Sequence, residues 1–246
     1  MLQKNSMPKR TAVRASLSEK KITEVTSVIS HQLKTPLAGI KSSLEILLSD
    51  DLGALTKSQK EYLELTLSGT VKMIQLVKNL LDASRVDENR MQLNSERSDF
   101  VKLVQEVISD LASFAKAKNS SISLAIKGDI PFLTIDPTRV QQVVNNLIYN
   151  AIRYTKGKGD IRVSIERDGD NILFTSLDNG IGISDKEKKK IFTKYYRSPR
   201  GVVLATDGSG LGLFISKAII VQSGGKIWFT SKLDKGTTFY FTLPIR

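Results

Sequence analysis

Residues 58–86 have the sequence SQKEYLELTLSGTVKMIQLVKNLLDASRV, in which apolar side chains recur at three- and four-residue steps, the spacing of a helix. At about 100° per residue, the apolar positions form two neighbouring stripes that together cover roughly half of the helix circumference or more. The stripes consist of Tyr62, Leu65, Met73, Leu76 and Leu80, and of Leu63, Leu67, Ile74, Val77 and Leu81. An apolar face this wide needs more than one packing partner.

The preceding segment supplies the first partner. Residues 19–49 carry an apolar helical stripe, interrupted by Pro36, where we expect a bend or a missing hydrogen bond. The stripe consists of Ile22, Val25, Ile29, Leu33, Leu37, Ile40, Leu44 and Leu47. Residues 50–56, DDLGALT, predict a turn in which Gly53 adopts positive φ. We therefore expect a helical hairpin over residues 19–92 that pairs with a second copy as a dimeric four-helix bundle; the alternative is packing against another part of the same chain.

The pattern changes after residues 87–98, a polar stretch (DENRMQLNSERS) that we interpret as the domain boundary. Asp99 is expected to cap a helix that runs to about Lys118. Further helices are predicted at 136–154, near 184–195 and at 210–223, and strands at 121–127, 132–135, 160–167, 171–178, 226–231 and 237–243. Residues 98–246 thus predict an α+β two-layer sandwich, with one mixed or antiparallel sheet and helices on one of its faces.

Composition excludes several classes of protein. The chain has 246 residues, of which 40% are hydrophobic and 25% charged, as in ordinary globular proteins rather than disordered ones. It has no cysteine, which excludes disulfides, thiolate nucleophiles and Cys-ligated metals. Apolar runs are too short to span a bilayer, and the N-terminus lacks the apolar segment of a signal peptide. We expect a cytoplasmic chain, either a soluble protein or the cytoplasmic part of a longer membrane receptor, with membrane contact only through a missing or upstream region.

Positive charge is concentrated in two short segments. The formal net charge is +12. Residues 1–21, of which 1–18 are interpreted as a basic tail or linker, contain six Lys or Arg and one Glu, and residues 183–207 contain seven Lys or Arg and three acidic residues. Binding to duplex DNA normally needs a continuous basic face, so no nucleic-acid partner is expected. A basic nucleic-acid-binding or scaffolding dimer remains the alternative from a different class.

His31 is the only histidine of the chain. On the predicted helix it lies opposite the apolar stripe, so its ring should face water or another domain. A neutral imidazole is a competent nitrogen nucleophile near pH 7, since its ordinary pKa is about 6.5. Taken alone, an exposed histidine of this kind is more often a surface residue of no consequence.

Residues 146–154, NLIYNAIRY, lie on a predicted helix in the C-terminal half. Asn146, Asn150 and Arg153 are four and three residues apart, so they share one face. A carboxamide oxygen can ligate Mg²⁺, and a guanidinium can donate to phosphates. Without further context, the same spacing also fits a partly solvated helix.

Two glycine-containing motifs follow. In residues 178–182, DNGIG, the Asp178 carboxylate can accept a hydrogen bond from the exocyclic amine of adenine, and Gly180 and Gly182 would let the backbone approach the base. Residues 208–213, GSGLGL, open a predicted helix, whose N-terminal N–H groups can bind an anion. The second motif lacks the ending of a Walker loop and the strand that precedes a dinucleotide fingerprint.

Taken together and in order, these motifs resemble those of bacterial sensor histidine kinases. The matching boxes are SHQLKTPL at 30–37 (H-box), NLIYNAIRY at 146–154 (N-box), DNGIG at 178–182 (G1 box), IFTKYYR at 191–197 (F-box), GSGLGL at 208–213 (G2 box) and the GTTF closing strand at 236–239. The resemblance covers about residues 19–243. It implies a dimerisation and histidine-phosphotransfer hairpin over 19–92, a GHKL-type ATP-binding catalytic domain over 98–246, and a basic ATP lid over 183–207.

The resemblance also implies a function and a set of site residues. MgATP would phosphorylate His31, and the phosphoryl group would pass to an aspartate of a response regulator receiver domain. The catalytic residues implied are His31, Gln32 and Thr35. The ATP-binding residues implied are Asn146, Asn150, Arg153, Tyr154, Asp178, Gly180, Gly182, Arg197, Gly208, Gly210, Leu211, Gly212 and Thr237, with Asn150 as the Mg²⁺ ligand. Thr237 would support Asp178, and a cavity would be bounded by Asn150, Asp178 and Gly210.

The H-box departs from the common pattern at Gln32, where the family usually has Glu or Asp. A carboxamide can accept a hydrogen bond from Nδ1–H of the histidine, but it cannot remove the proton. Thr35 would support dephosphorylation of the partner by placing a water; it is equally compatible with a residue that simply precedes Pro36. Gln32 leaves open a degenerate ATP-binding kinase that acts mainly as a response-regulator phosphatase.

Overall fold

A computed structural model describes Ile29, residues 32–205 and residues 208–245. The chain divides between Met91 and Gln92 into two compact units, which we describe separately. No helix within the described ranges is long and apolar enough to cross a membrane.

The N-terminal unit contains the predicted pair of helices. Helix α1 covers residues 32–48 and continues across Pro36; the predicted start at residue 19 lies outside the described residues. A short 3-10 turn (Asp50–Leu52) and Gly53, with a φ of +104°, lead to helix α2 (Lys57–Asp87). Thr56 caps α2, because its Oγ1 accepts from the Gln59 amide while the Gln59 side chain accepts from the Thr56 amide. The helical hairpin is confirmed.

The two apolar stripes of α2 differ in exposure. One stripe is half-buried along its length: Leu63, Leu67, Ile74, Val77 and Leu81. In the other, Tyr62 and Leu65 are 73% and 70% exposed, and Met73 and Leu76 are 48% and 45% exposed. The hairpin therefore covers one stripe of α2 and leaves most of the other facing outward.

The C-terminal unit combines helices with a mixed sheet. Its elements are β1 (Glu96–Ser98), α3 (Phe100–Ala117), β2 (Ser120–Lys127), β3 (Leu133–Ile135), α4 (Pro137–Arg153), β4 (Gly159–Asp168), β5 (Asn171–Asp178), α5 (Asp185–Lys188), α6 (Pro199–Leu204), α7 (Gly212–Gln222), β6 (Ile227–Lys232) and β7 (Gly236–Pro244). The main sheet has the order β2-β4-β5-β7-β6. Strands β2 and β4 are parallel and the other pairs are antiparallel, which confirms the predicted mixed sheet.

The core lies between one face of this sheet and helices α3, α4 and α7. Helix α4 contacts α3, α7, β4 and β5. On the inner face, the rings of Phe174 and Phe241 stack at 4.6 Å, and Phe100 of α3 meets both edge-on. Inward residues of β5 are buried, while outward ones alternate with them. This packing fixes which face of α4 points away from the core.

Three sequence expectations need correction. Residues 96–98, assigned to the polar boundary, form β1, which pairs antiparallel with β3. The helix expected near 184–195 is limited to α5, and a separate helix, α6, lies in the segment interpreted as the lid. Helix α7 begins at Gly212 rather than at 210, because Gly210 has a φ of +69° that is incompatible with a right-handed helix.

Candidate functional site

Helix α4 presents the two asparagines of the N-box side by side. The Asn150 Nδ2 group donates to Asn146 Oδ1 at 3.3 Å, and Asn146 Nδ2 donates to Ser216 Oγ of α7 at 2.9 Å. A Cβ atom at Gly212 would overlap with Asn146 Oδ1, so the start of α7 lies directly against this pair. The amide network links α4 to α7 and orients both carboxamides.

The orientation of Asn150 suits a magnesium ion. Its Nδ2 group is engaged with Asn146, so its Oδ1 is the atom that can face a cation. Within the described residues, no group of three or more His, Cys, Asp or Glu could hold a metal. Mg²⁺ commonly takes one or two protein oxygens and completes its shell with water and substrate phosphates. A single amide oxygen at this position fits that chemistry.

Asp178 is a buried carboxylate at the end of β5, with only 7% of its surface exposed. Its Oδ1 accepts from the Gly180 amide at 2.8 Å and from the Thr237 amide at 3.2 Å. Burial raises the pKa of Asp178 to about 6, although the two amide bonds act in the opposite direction. Both bonds involve Oδ1, so Oδ2 can accept a hydrogen bond from a ligand amine while the group is ionised above pH 6.

The glycines of the DNGIG motif contact protein backbone. A Cβ atom at Gly180 would lie 2.5 Å from the Tyr154 carbonyl oxygen, and one at Gly182 would overlap with the Lys232 carbonyl. The next amide, of Ile181, donates to the same Tyr154 carbonyl at 3.0 Å. These glycines therefore hold the loop against the end of α4 and against β6, whereas the sequence had suggested an approach to the base.

Thr237 contacts Asp178 through its backbone amide rather than its hydroxyl. The Thr237 hydroxyl instead forms a hydrogen bond of 2.9 Å with Ser231 Oγ. Ser231 also accepts from the Ile183 amide at 2.8 Å, so it joins β6 and β7 to the loop after Asp178. Sequence reasoning missed Ser231, since a lone serine in a strand gives no signal.

Two guanidinium groups share one backbone acceptor in residues 183–207, the segment interpreted as the ATP lid. Arg153 of α4 and Arg197 both donate to the carbonyl oxygen of Ala205. Gly208 lies beside Arg153, because a Cβ atom there would be 2.9 Å from Nη1. Donors of this kind bind phosphate oxygens strongly, which suits the predicted role of Arg153 and Arg197 in phosphate binding; that role stays a prediction.

The G2 segment connects the lid to α7. Gly210 lies against the backbone of Tyr195, while Leu211 is buried and precedes the first residue of α7. The N-terminus of α7 thus lies next to the amide pair of α4. Gly208 lies beside Arg153 and Gly212 beside Asn146; the binding of ATP phosphates by Arg153, Arg197 and the start of α7 stays a prediction.

A cavity of about 480 Å³ reaches Asp178 and Thr237. The other residues that line it include Arg162, Leu177, Thr230 and Thr238, which project from the face of the sheet opposite the helices. Asn150 and Gly210 are not among its lining residues. The cavity expected between Asn150, Asp178 and Gly210 therefore stays a prediction.

Comparison with known families explains this arrangement. The sequence model of the "Histidine kinase-, DNA gyrase B-, and HSP90-like ATPase" family matches residues 135–246, and that of the "His Kinase A (phospho-acceptor) domain" matches residues 21–89. The chain belongs to the sensor histidine kinase family. The chain therefore combines a match to a phospho-acceptor domain with a match to an ATPase-type domain, which confirms the expected resemblance.

Relatives of this chain support the same family assignment. The sensor protein kinase WalK of Staphylococcus haemolyticus is 32% identical over 233 residues, which are 92% of this chain and 37% of WalK. Full-length ShkA in complex with AMPPNP matches 90% of this chain and 45% of ShkA, with a TM-score of 0.71 and 25% identity. The catalytic domain of histidine kinase ThkA matches 63% of this chain and 96% of that domain, with a TM-score of 0.53 and 28% identity.

The chain spans little more than a third of the length of WalK. Its own H-box is described only in part. His31 lies outside the described residues, whereas Gln32 and Thr35 are exposed on α1 of the N-terminal unit. The roles of these three residues stay predictions.

Proposed function

We propose that the chain is the kinase core of a two-component sensor, which uses ATP to phosphorylate His31 and then transfers the phosphoryl group to an aspartate of a response regulator. The observation that carries the proposal is Asp178, a buried carboxylate with Oδ1 held by two amides and Oδ2 left to accept from the adenine amine. The structural relative ShkA binds AMPPNP, an ATP analogue, which supports ATP as the nucleotide.

The proposed reaction is an in-line displacement. The lone pair of His31 Nε2 attacks the γ-phosphorus, the N–P bond forms as the P–O bond to the β-phosphate breaks, and ADP leaves. An aspartate oxygen of the regulator then attacks the same phosphorus, and the N–P bond breaks. Such transfers depend mainly on positioning and charge stabilisation. Arg153 and Arg197 would supply cationic donors to the phosphates.

Asn150 would hold Mg²⁺ through Oδ1, and Tyr154 would close the adenine end of the site through its backbone. A bound Mg²⁺ ion supplies positive charge that offsets the charge of the phosphate oxygens. The N-terminus of α7, with Gly208, Gly210, Leu211 and Gly212 before and at its first turn, would face the same phosphates with its free N–H groups.

The exposed stripe of α2 supports the proposal of a homodimer through residues 19–92. Tyr62, Leu65, Met73 and Leu76 place four large apolar side chains on one outward face, an arrangement that marks an interaction surface. A second hairpin with the same stripe would cover it symmetrically. We further propose that the kinase acts in the cytoplasm, where ATP and response regulators are found. No observation favours a nucleic-acid-binding dimer.

The test is phosphoryl transfer with a defined product. Incubation with γ-labelled ATP and Mg²⁺ is expected to label the chain, and the label should be lost in acid and retained in alkali, as for a phosphoramidate. Adding a purified receiver domain should move the label to that domain. A label that resists acid would show phosphorylation of a hydroxyl group and would contradict the proposal.

Gln32→Glu is expected to raise the rate of autophosphorylation. A carboxylate can remove the imidazole proton and a carboxamide cannot, and general-base assistance contributes about 10²- to 10⁴-fold in enzymes. Single-turnover labelling measures the rate, with Gln32→Asn as a control that keeps the amide. An unchanged rate in Gln32→Glu would show that position 32 is not a base site.

A further inference from the structure

The short lid helix α6 is tied to the β6–β7 turn by an ion pair. Arg200 Nη2 lies 2.6 Å from Asp234 Oδ1, and Arg200 Nη1 donates to Asp234 Oδ2 at 3.3 Å. The two bonds use both carboxylate oxygens, a geometry that favours Arg over Lys. The hydrogen bond from Arg200 lowers the pKa of Asp234, and nearby Lys156 acts in the same direction.

Asp234 is held by a backbone hydrogen bond next to the proposed adenine site. It has a φ of +58° in the turn between β6 and β7. Its amide donates to the Ile181 carbonyl at 2.9 Å, so the turn is bonded to the DNGIG loop that follows Asp178. Arg200 thus connects α6 to the same loop that would bind the adenine.

Helix α6 in turn determines the position of Ala205. The Ala205 amide donates to the Gly201 carbonyl at 3.0 Å, so this residue follows the helix. Gly201 is buried, and a Cβ atom there would lie 3.2 Å from the Tyr154 ring. The Arg200–Asp234 pair and the Gly201–Tyr154 contact hold the Ala205 carbonyl at the guanidinium groups of Arg153 and Arg197.

The Ala205 carbonyl and a nucleotide compete for the same donors. Arg153 and Arg197 both donate to that carbonyl, and the proposed function assigns both groups to the phosphates. Each guanidinium has five N–H donors; phosphate oxygens that take the donors that Ala205 now occupies would displace Ala205 and, with it, the end of α6.

We propose that the Arg200–Asp234 ion pair is a clasp that positions the lid helix over the phosphate site and slows nucleotide binding. This inference rests on the proposed function, because it assumes that nucleotide binds at Arg153 and Arg197. Neither clasp residue is expected to touch the nucleotide. Both are positioning residues that act through α6 and Ala205.

The test compares association rates in a variant with unchanged net charge. The double variant Arg200→Gln/Asp234→Asn breaks the ion pair without altering long-range attraction of an anionic ligand. Stopped-flow mixing with fluorescently labelled ADP and Mg²⁺ is expected to show association about two- to five-fold faster than for the wild-type chain, as suits a partly exposed pair. The swapped variant Arg200→Asp/Asp234→Arg is expected to return the rate toward that of the wild type.

A matched control uses another exposed ion pair. Lys127 Nζ lies 2.9 Å from Glu166 Oε2, between strands β2 and β4. Asp178 of β5 pairs with Ile161, near the other end of β4. Lys127→Gln/Glu166→Gln should leave the association rate unchanged. An unchanged or slower association rate in Arg200→Gln/Asp234→Asn would overturn the clasp. Absence of labelled-ADP binding to the wild-type chain would instead overturn the proposed function.

Discussion

Replacing His31 with alanine is expected to abolish transfer of the γ-phosphoryl group to the protein. The chain contains one histidine, so no second imidazole can accept the group. The acid-labile label should fall to the level of a reaction without protein. Transfer to a receiver domain should disappear with it, because the proposed mechanism passes through the phosphorylated imidazole.

Nucleotide binding should survive this substitution. The residues assigned to ATP lie in the unit from Gln92 to Arg246, and His31 lies in the other unit. Labelled ADP should therefore bind His31→Ala with wild-type affinity. Lys34→Ala, at an exposed position of α1, serves as a matched control and should keep the acid-labile label. Residual acid-labile label in His31→Ala would contradict the assignment of the phosphoryl acceptor.

Asp178→Asn is expected to weaken ATP binding on the order of 100-fold. Asparagine can keep the bonds from the Gly180 and Thr237 amides to its Oδ1, but it places an NH₂ group where Oδ2 would accept from adenine. Two donors then face each other, and the loss of a buried bond to a charged group costs about 1–3 kcal/mol or more. Isothermal calorimetry with an ATP analogue at pH 8 measures the effect.

The same substitution should stabilise the folded protein at high pH. Because the pKa of Asp178 is raised from its ordinary 3.8 to about 6, the stability it contributes is present below about pH 4 and is lost as the pH rises through 6. At pH 8 the buried charge costs on the order of 1–3 kcal/mol, which asparagine removes. Thermal unfolding without nucleotide should show a higher Tm for Asp178→Asn at pH 8 and no gain at pH 4.

The two expected effects of Asp178→Asn distinguish a loss of nucleotide binding from a loss of folding. A variant that simply misfolds would lose both affinity and stability, whereas Asp178→Asn should lose one and gain the other. Asp168→Asn, at the exposed far end of β4, should change neither. Affinity within two-fold of the wild type, or a lower Tm at pH 8, would contradict the role of Asp178.

The sequence predicted the main elements because their signals are local. The apolar periodicity of residues 58–86 located α2 to within one residue at each end. Asp99 caps α3 through its side chain, as expected. The strands of the main sheet follow their β-rich runs closely. In each case, the pattern of the segment alone is enough to specify the structure.

The missed elements depend on partners distant in the chain. Strand β1 is a polar tripeptide that becomes a strand only because Leu133–Ile135 pairs with it. Helix α6 has six residues, fewer than a helix needs to be stable by itself, and it is fixed by Tyr154 and Asp234. Ser216 and Ser231 have roles only in the folded structure. Helix α7 places Ser216 within hydrogen-bond distance of Asn146, and the pairing of β6 with β7 places Ser231 within hydrogen-bond distance of Thr237.

The sequence by itself determined the family, the hairpin, the mixed-sheet domain and the residue types available for phosphoryl transfer. Apolar periodicity, helix-capping residues and the order of the motifs can all be read from the amino-acid sequence without a structure. Only the tertiary structure showed that Asp178 is buried, which raises its pKa. It also showed that Gly180 and Gly182 contact protein backbone and that Arg200 forms an ion pair with Asp234. These features arise because desolvation and ion pairing depend on distances between atoms that folding alone brings together.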